Sequence, residues 1–66
     1  MDDERIVLFW VMYETTDGVG RYTEPTLNEE EAWLTHAALK ARADVRDAAL
    51  NYAEVRRSEL DAITVK

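Results

Sequence analysis

The longest apolar run of the chain covers residues 6–13 and is rich in β-branched and aromatic side chains. Such a composition favours a β-strand, whose side chains alternate between two faces. One face would carry the even-numbered side chains, which are Ile6, Leu8, Trp10 and Met12. The other face would carry the odd-numbered side chains, which are Val7, Phe9, Val11 and Tyr13. Because both faces are apolar, both need cover from the rest of the chain or from a partner.

Asp17-Gly18 separates this first strand, residues 5–16, from a second strand-like run, residues 19–24. An Asp-Gly pair in this position predicts a hairpin with a two-residue type I′ turn, since both turn residues need a positive φ. The turn would set Tyr13 opposite Tyr22 and Glu14 opposite Arg21. Both of these cross-strand pairs are favourable.

Pro25 ends the second strand, because proline cannot donate a hydrogen bond to a sheet. The return strand therefore stops opposite Trp10, and residues 5–9 must find backbone partners elsewhere. The other edge of the first strand is open along its whole length, and proteins cover such edges. We expect pairing there with residues 63–65, which resemble a short strand, or with a second copy of the chain.

Residues 26–43 predict an α-helix. Thr26 with Glu29, or Asn28 with Glu31, has the spacing of a capping box. The glutamates at positions 29–31 would lie in the first turn, where the helix dipole favours negative charge. The helix would pack closely on the sheet through an Ala-rich stripe of Leu34, Ala38, Ala41 and Val45.

Residues 44–60 contain no glycine or proline and many good helix formers, so they predict a second helix. A strand is the alternative, although apolar and polar side chains alternate only weakly in this segment. One continuous helix over residues 26–60 would be about 50 Å long at ~1.5 Å per residue, too long for a compact chain of this size. We therefore place a break at residues 42–44, where Asp44 can cap a second helix.

The predicted fold is α+β, in one domain that spans residues 1–66. An antiparallel hairpin with a long first strand packs on one long helix or two consecutive helices, and a short C-terminal strand would complete the sheet. We expect the Trp10 face to meet the helix, because an Ala-rich helix needs bulky side chains opposite it. The opposite face would then bind a partner through Val7, Phe9, Val11, Tyr13 and Tyr22. The alternative is that the second helix covers this face in a three-layer monomer.

Size and charge narrow the classes of function. A core built from 66 residues is marginal, and oligomerisation is a common reinforcement where cysteines are absent, as they are here. The formal net charge of -6 argues against direct binding to nucleic acid or to an anionic membrane, because both need a positive surface. The acidic start, residues 1–4, lacks the positive charge of a signal peptide, so we expect a cytoplasmic protein.

The sequence contains no motif for catalysis, for a metal or for a cofactor. His36 is the only histidine, and neither a general base nor a zinc site is built from one histidine without partners. The spacing of Gly18 and Gly20 is too short for a phosphate-binding loop and is explained by the turn. We therefore predict a protein that is not an enzyme and that binds no cofactor.

Acidic side chains are the second candidate for binding, after the apolar strand face. Glu24, Glu29, Glu30 and Glu31 would contact a basic partner, although helix-start electrostatics alone explains the last three. Acidic side chains on one surface can imitate phosphate charge and occupy the groove of a nucleic-acid-binding protein. We expect a small interaction protein, an inhibitor or adaptor of the kind that phages direct at host machinery, which is also a homodimer. The alternative is a structural subunit that binds only further copies of itself.

Overall fold

The structure is a computed structural model, and it describes residues 4–60. Three antiparallel strands form one sheet in the order β2-β1-β3, and one long helix packs against it. In chain order the elements are β1 (Arg5–Thr15), β2 (Gly20–Tyr22), α1 (Glu29–Lys40), β3 (Val45–Arg56) and α2 (Arg57–Leu60). The predicted α+β class and the long first strand are confirmed.

The central strand β1 pairs along its whole length with β3. The register runs from Arg5 opposite Arg56 to Thr15 opposite Val45, with an irregularity between Glu14 and Thr15. The prediction of a helix after residue 44 is therefore wrong for residues 45–56. Residues 45–56 form a strand despite their helix propensity, because they pair with the open backbone edge of β1. Both faces of β1 are apolar, so this edge needs cover. The edge expected to need residues 63–65 is occupied by β3, and those residues lie outside the described part of the chain.

The hairpin between β1 and β2 is closed by a three-residue loop, not by the predicted two-residue turn. The Thr15 N–H donates to the Val19 carbonyl and the Gly18 N–H to the Thr15 carbonyl, each at 2.9 Å. Gly18 has φ +86°, which suits a type I turn followed by a glycine bulge. The extra loop residue shifts the register by one, so Met12 faces Tyr22 and Tyr13 faces Arg21. The predicted pairs Tyr13–Tyr22 and Glu14–Arg21 are therefore wrong, and Tyr22 lies on the opposite face of the sheet.

Helix α1 begins after Asn28, whose side chain accepts a hydrogen bond of 3.1 Å from the Glu31 N–H. The second of the two predicted capping sites is thus the one used, and the glutamates at positions 29–31 form the first turn. The helix ends at Lys40, close to the predicted break. The predicted stripe is wrong, since Leu34 is 65% exposed, whereas Ala32 and Leu39 are buried.

The helix covers the odd-numbered face of β1, which is opposite to the prediction. Val11 has no exposed surface and forms the core with Leu39 of α1 and Ala48 of β3, while Tyr13 packs against this cluster. The helix contributes Leu39 to this core and the sheet contributes the other side chains, so the helix lies on the face opposite to the one expected from its Ala-rich stripe. A 12-residue helix is about 18 Å long, about half the length of β1. It therefore leaves the far half of that face open, where Tyr52 is 72% exposed.

The helix cap offers a direct test of this start site. Asn28→Ala removes the acceptor for the Glu31 N–H, and we expect it to lower the free energy of unfolding by about 0.5–2 kcal/mol. Asn28→Ser keeps a capping oxygen and should stay close to the wild type. Urea unfolding followed by circular dichroism measures both variants. Equal stability of the two variants would contradict Asn28 as the cap.

None of the helices within residues 4–60 is long and apolar enough to cross a membrane.

Candidate functional site: an apolar groove with an acidic rim

The even-numbered face of β1, which α1 leaves uncovered, carries an apolar groove. We call it the outer groove, and it has a volume of about 360 Å³. Its lining residues come from all three strands and from the segment after β2, and they are Leu8, Trp10, Met12, Tyr22, Thr23, Pro25, Ala53 and Val55. None of these residues is charged, and their only polar side-chain groups are the Thr23 and Tyr22 hydroxyls and the Trp10 indole N–H. The groove can therefore hold an apolar side chain of a ligand with little desolvation cost to the protein.

Two large side chains of the outer groove are well exposed to solvent. Met12 is 49% exposed and Tyr22 is 75% exposed, whereas Leu8 at the bottom is 2% exposed. Large exposed apolar side chains in one patch are typical of protein-interaction surfaces, and methionine adapts easily to different ligands. The groove thus combines a fixed floor with side chains that can rearrange around a ligand.

The segment after β2 fixes one wall of the groove. The Thr23 N–H donates to the Val11 carbonyl at 2.9 Å, and the Val11 N–H donates to the Thr23 hydroxyl at 3.0 Å. Two further bonds of 2.9 and 2.8 Å join Phe9 and Thr26 as an isolated bridge. Glu24 and Pro25 lie between these attachment points. The backbone of this wall is therefore held at both ends, and Pro25 is half-buried within it.

A smaller depression of about 170 Å³ adjoins the outer groove and carries the acidic residues. Glu24 and Glu31 both line it, and it shares Trp10 and Thr23 with the groove. The buried Thr26 hydroxyl accepts a hydrogen bond from the Asn28 N–H at 3.1 Å and donates to Glu31 Oε2 at 3.5 Å. These bonds hold the start of α1 beside the groove. We call Glu24 and the three glutamates of the first turn of α1, Glu29, Glu30 and Glu31, the acidic rim.

Three glutamates of the acidic rim form no ion pair with a cationic side chain of the described residues. The four ion pairs there lie elsewhere and join Arg5 to Glu54, Arg42 to Asp44, Arg46 to Glu14 and Arg57 to Glu4. Across residues 4–60, neither Glu24 nor Glu29 nor Glu30 has a cationic partner, and all three are exposed. Four of the six arginines are thus compensated locally, whereas Glu24, Glu29 and Glu30 keep their negative potential for a ligand.

The structure does not bring the five residues of the predicted apolar surface together. Val11 is fully buried and cannot contact a partner in the folded chain, and Tyr13 is half-buried against the core. Val7 is 38% exposed and Phe9 is half-buried on the same face, beyond the end of the helix. Tyr22 is exposed, but in the outer groove on the other face of the sheet.

Sequence reasoning missed the contribution of β3 to the groove. Ala53 and Val55 line it because they stand opposite Leu8 and Ile6 in the β1–β3 register. An apolar residue at every second position of residues 49–55, interrupted only by Asn51, is the signal that a strand interpretation would have used. This alternation was not used, because the segment was interpreted as a helix.

His36 has a structural role in the described part of the chain. Its Nε2 lies 3.2 Å from the Ala48 carbonyl oxygen, which can only accept, so Nε2 carries the proton of this hydrogen bond. The ring also meets Trp33 edge to face, with centroids 5.5 Å apart. No group of three or more potential metal ligands occurs within residues 4–60. His36 therefore ties α1 to β3.

A third depression, at the hairpin end of the sheet, is polar and internally paired. Hydrogen bonds from the Arg42 guanidinium, at 2.9 and 2.6 Å, lower the pKa of the Asp44 carboxyl. Asp44 in turn raises the pKa of Arg42, and a hydrogen bond from the Thr15 hydroxyl lowers the pKa of Asp17. These groups stabilise one another's charge and close the connection from α1 to β3. The depression offers a ligand less unpaired charge than the acidic rim does.

No protein-family model, no curated protein and no solved structure compared with this chain matches it significantly. The geometry and chemistry of the surface are therefore what indicate its function.

Proposed function

We propose that this chain is a non-enzymatic interaction protein that binds a basic protein partner across the outer groove and the acidic rim. The observation that carries the proposal is their adjacency: Trp10 and Thr23 line both the apolar groove and the depression that holds Glu24 and Glu31. A ligand segment with an apolar side chain beside a lysine or arginine matches such a surface. The apolar contact would supply most of the affinity, and the charge would supply orientation and a fast association.

More specifically, we propose that the chain inhibits a nucleic-acid-binding protein. Glu24, Glu29, Glu30 and Glu31 lie at one end of α1 and at the strand wall beside it, and the net charge of the chain is -6. Basic grooves that contact phosphates are attracted to such a surface. A partner whose basic groove is covered in this way cannot hold nucleic acid. This is the kind of inhibitor that phages direct at host machinery.

A defined peptide tests the proposal. The probe is a synthetic peptide in which lysine alternates with leucine, and its counterpart has glutamate in place of each lysine. We expect the basic peptide to bind and the acidic peptide not to bind, as measured by calorimetry. Raising the salt from about 0.05 to 0.5 M should weaken binding strongly, because it shortens the screening length.

Matched variants locate the binding site of the peptide. Met12→Ser and Glu24→Gln change an exposed groove residue and an exposed rim residue, and each should weaken binding several-fold. Leu34→Ser and Asp17→Asn make the same kinds of change at exposed positions that line neither the groove nor the rim, and they should not alter binding. Equal weakening by both sets, or binding that is insensitive to salt, would contradict the proposal.

The second candidate function is a structural subunit that binds only further copies of itself. One observation favours it: β3 is a 12-residue strand at the edge of the sheet, and proteins rarely leave such an edge open. Salt separates the two candidates, because strand pairing between copies should persist at an ionic strength that abolishes binding of the basic peptide.

A further inference from the structure

The outward edge of β3 has a defined set of hydrogen-bonding groups. The Arg57 N–H donates to the Glu4 carbonyl at 2.8 Å, and antiparallel pairs alternate between bonded and non-bonded positions. The odd-numbered residues of β3 therefore bond to β1. Phe9 agrees with this pattern, since its N–H and carbonyl point the other way, to Thr26. The even-numbered residues of β3 consequently direct their N–H and carbonyl groups away from the sheet.

We call these outward N–H and carbonyl groups the outward row, and only some of them lack a hydrogen-bond partner. At Ala48 the carbonyl accepts from His36 at 3.2 Å and the N–H donates to the Asp47 carboxylate at 2.9 Å. At the other end the strand stops at Arg56, whose carbonyl begins the hydrogen bonding of α2. Between them, the outward backbone groups of Leu50, Tyr52 and Glu54 have no partner within residues 4–60. The free row is thus three residues long and is centred on Tyr52.

We infer that a second copy of this chain pairs with β3 as an antiparallel strand, about a two-fold axis at Tyr52. In this register Tyr52 faces Tyr52 of the second copy, and Leu50 and Glu54 face each other twice. Each of these residue pairs exchanges two hydrogen bonds, so the pairing satisfies every free group of the row and no group that is already bonded. The result is a continuous sheet of six strands with isologous contacts.

The side chains beside the row fit this register. Tyr52 is 72% exposed on the half of the sheet that α1 leaves open, so the two tyrosine rings meet without obstruction from the helix. Within residues 49–55 the register sets no two like charges opposite each other, since Glu54 faces Leu50. Sliding the pairing by one bonded position, toward Ala48, would set Arg46 opposite Arg56 and would require groups of Ala48 that are already used.

A charge swap at the two-fold axis tests the dimer. We expect the wild type to have twice the mass of the chain by light scattering, at both low and high salt. Tyr52→Lys and Tyr52→Asp place like charges face to face and should each give the mass of a single chain. An equimolar mixture of the two variants should recover the dimer, because lysine then faces aspartate across the axis.

The same two substitutions at Leu34, which is exposed on the outer side of α1, are the control and should leave the dimer intact. The dimer rests on the second candidate function, self-association, and the three residues whose free groups it uses, Leu50, Tyr52 and Glu54, do not line the outer groove. A monomeric wild type would overturn both the dimer through β3 and the second candidate function. A dimer that survives Tyr52→Lys and Tyr52→Asp would leave self-association standing and overturn pairing through β3, and so would a mixture that stays monomeric.

Discussion

Leu39→Ala is expected to lower the free energy of unfolding by about 2–5 kcal/mol. Leu39 is 6% exposed and is the side chain through which α1 reaches Val11 and Ala48. Truncation removes its transfer free energy and leaves a cavity beside Val11 and Ala48. A chain of 66 residues has a total stability of about 3–10 kcal/mol at ~0.05–0.15 kcal/mol per residue, so this loss approaches the whole.

Leu34→Ala is the matched control, because it makes the same substitution on the same helix. Leu34 is 65% exposed, and we expect its truncation to change stability by no more than about 0.5 kcal/mol. Urea unfolding, followed by both circular dichroism and tryptophan fluorescence, measures the two variants against the wild type. The sequence-based stripe placed Leu34 inward, so the opposite ranking of the two variants would restore that interpretation.

The sequence located the elements whose signals are local. One of the two alternative capping boxes, Asn28 with Glu31, is the start of α1, and the break expected at residues 42–44 lies close to the helix end at Lys40. Asp17-Gly18 marked the hairpin, and Gly18 does adopt a positive φ. Each of these features depends on a few neighbouring residues, whose conformational preferences act over one turn of chain.

Long-range features were harder to predict because small local differences reverse them. One additional residue in the hairpin loop moved Tyr22 to the other face of the sheet. The choice between helix and strand at β3 was decided by β1, an apolar strand that offered 11 residues of backbone pairing. Sequence patterns alone gave no measure of that pairing.

The candidate site was predicted only in part. Two of the four acidic residues expected to bind a partner, Glu24 and Glu31, line one depression. The apolar surface was placed on the wrong face, because the prediction assigned the helix to the Trp10 side. Once α1 covers Val11, the even-numbered side chains of the same strand remain uncovered, and they form the outer groove beside the rim. The apolar side chains on both faces of β1 thus predicted that one face would remain uncovered, but they did not predict which face.

Proline substitutions at Ala53 and Tyr52 should have very different effects, although these residues are adjacent. Ala53 stands opposite Leu8, and its N–H points toward β1. Ala53→Pro removes this hydrogen bond and leaves the Leu8 carbonyl without its donor in the middle of the sheet, which costs about 1–3 kcal/mol for the unsatisfied group alone. The N–H of Tyr52 points to the outer edge, where proline is tolerated. We expect Ala53→Pro to unfold at much lower urea than Tyr52→Pro.

The measurement is made at low protein concentration, so that loss of a dimer through β3 does not contribute to the difference. If residues 45–56 were a helix, both prolines would lie in its interior, and each would cost about 3 kcal/mol or more. Comparable destabilisation by the two variants would therefore contradict both the strand and the assignment of its outward row. A clear difference, with Tyr52→Pro close to the wild type, establishes which backbone groups of β3 are free for a second chain.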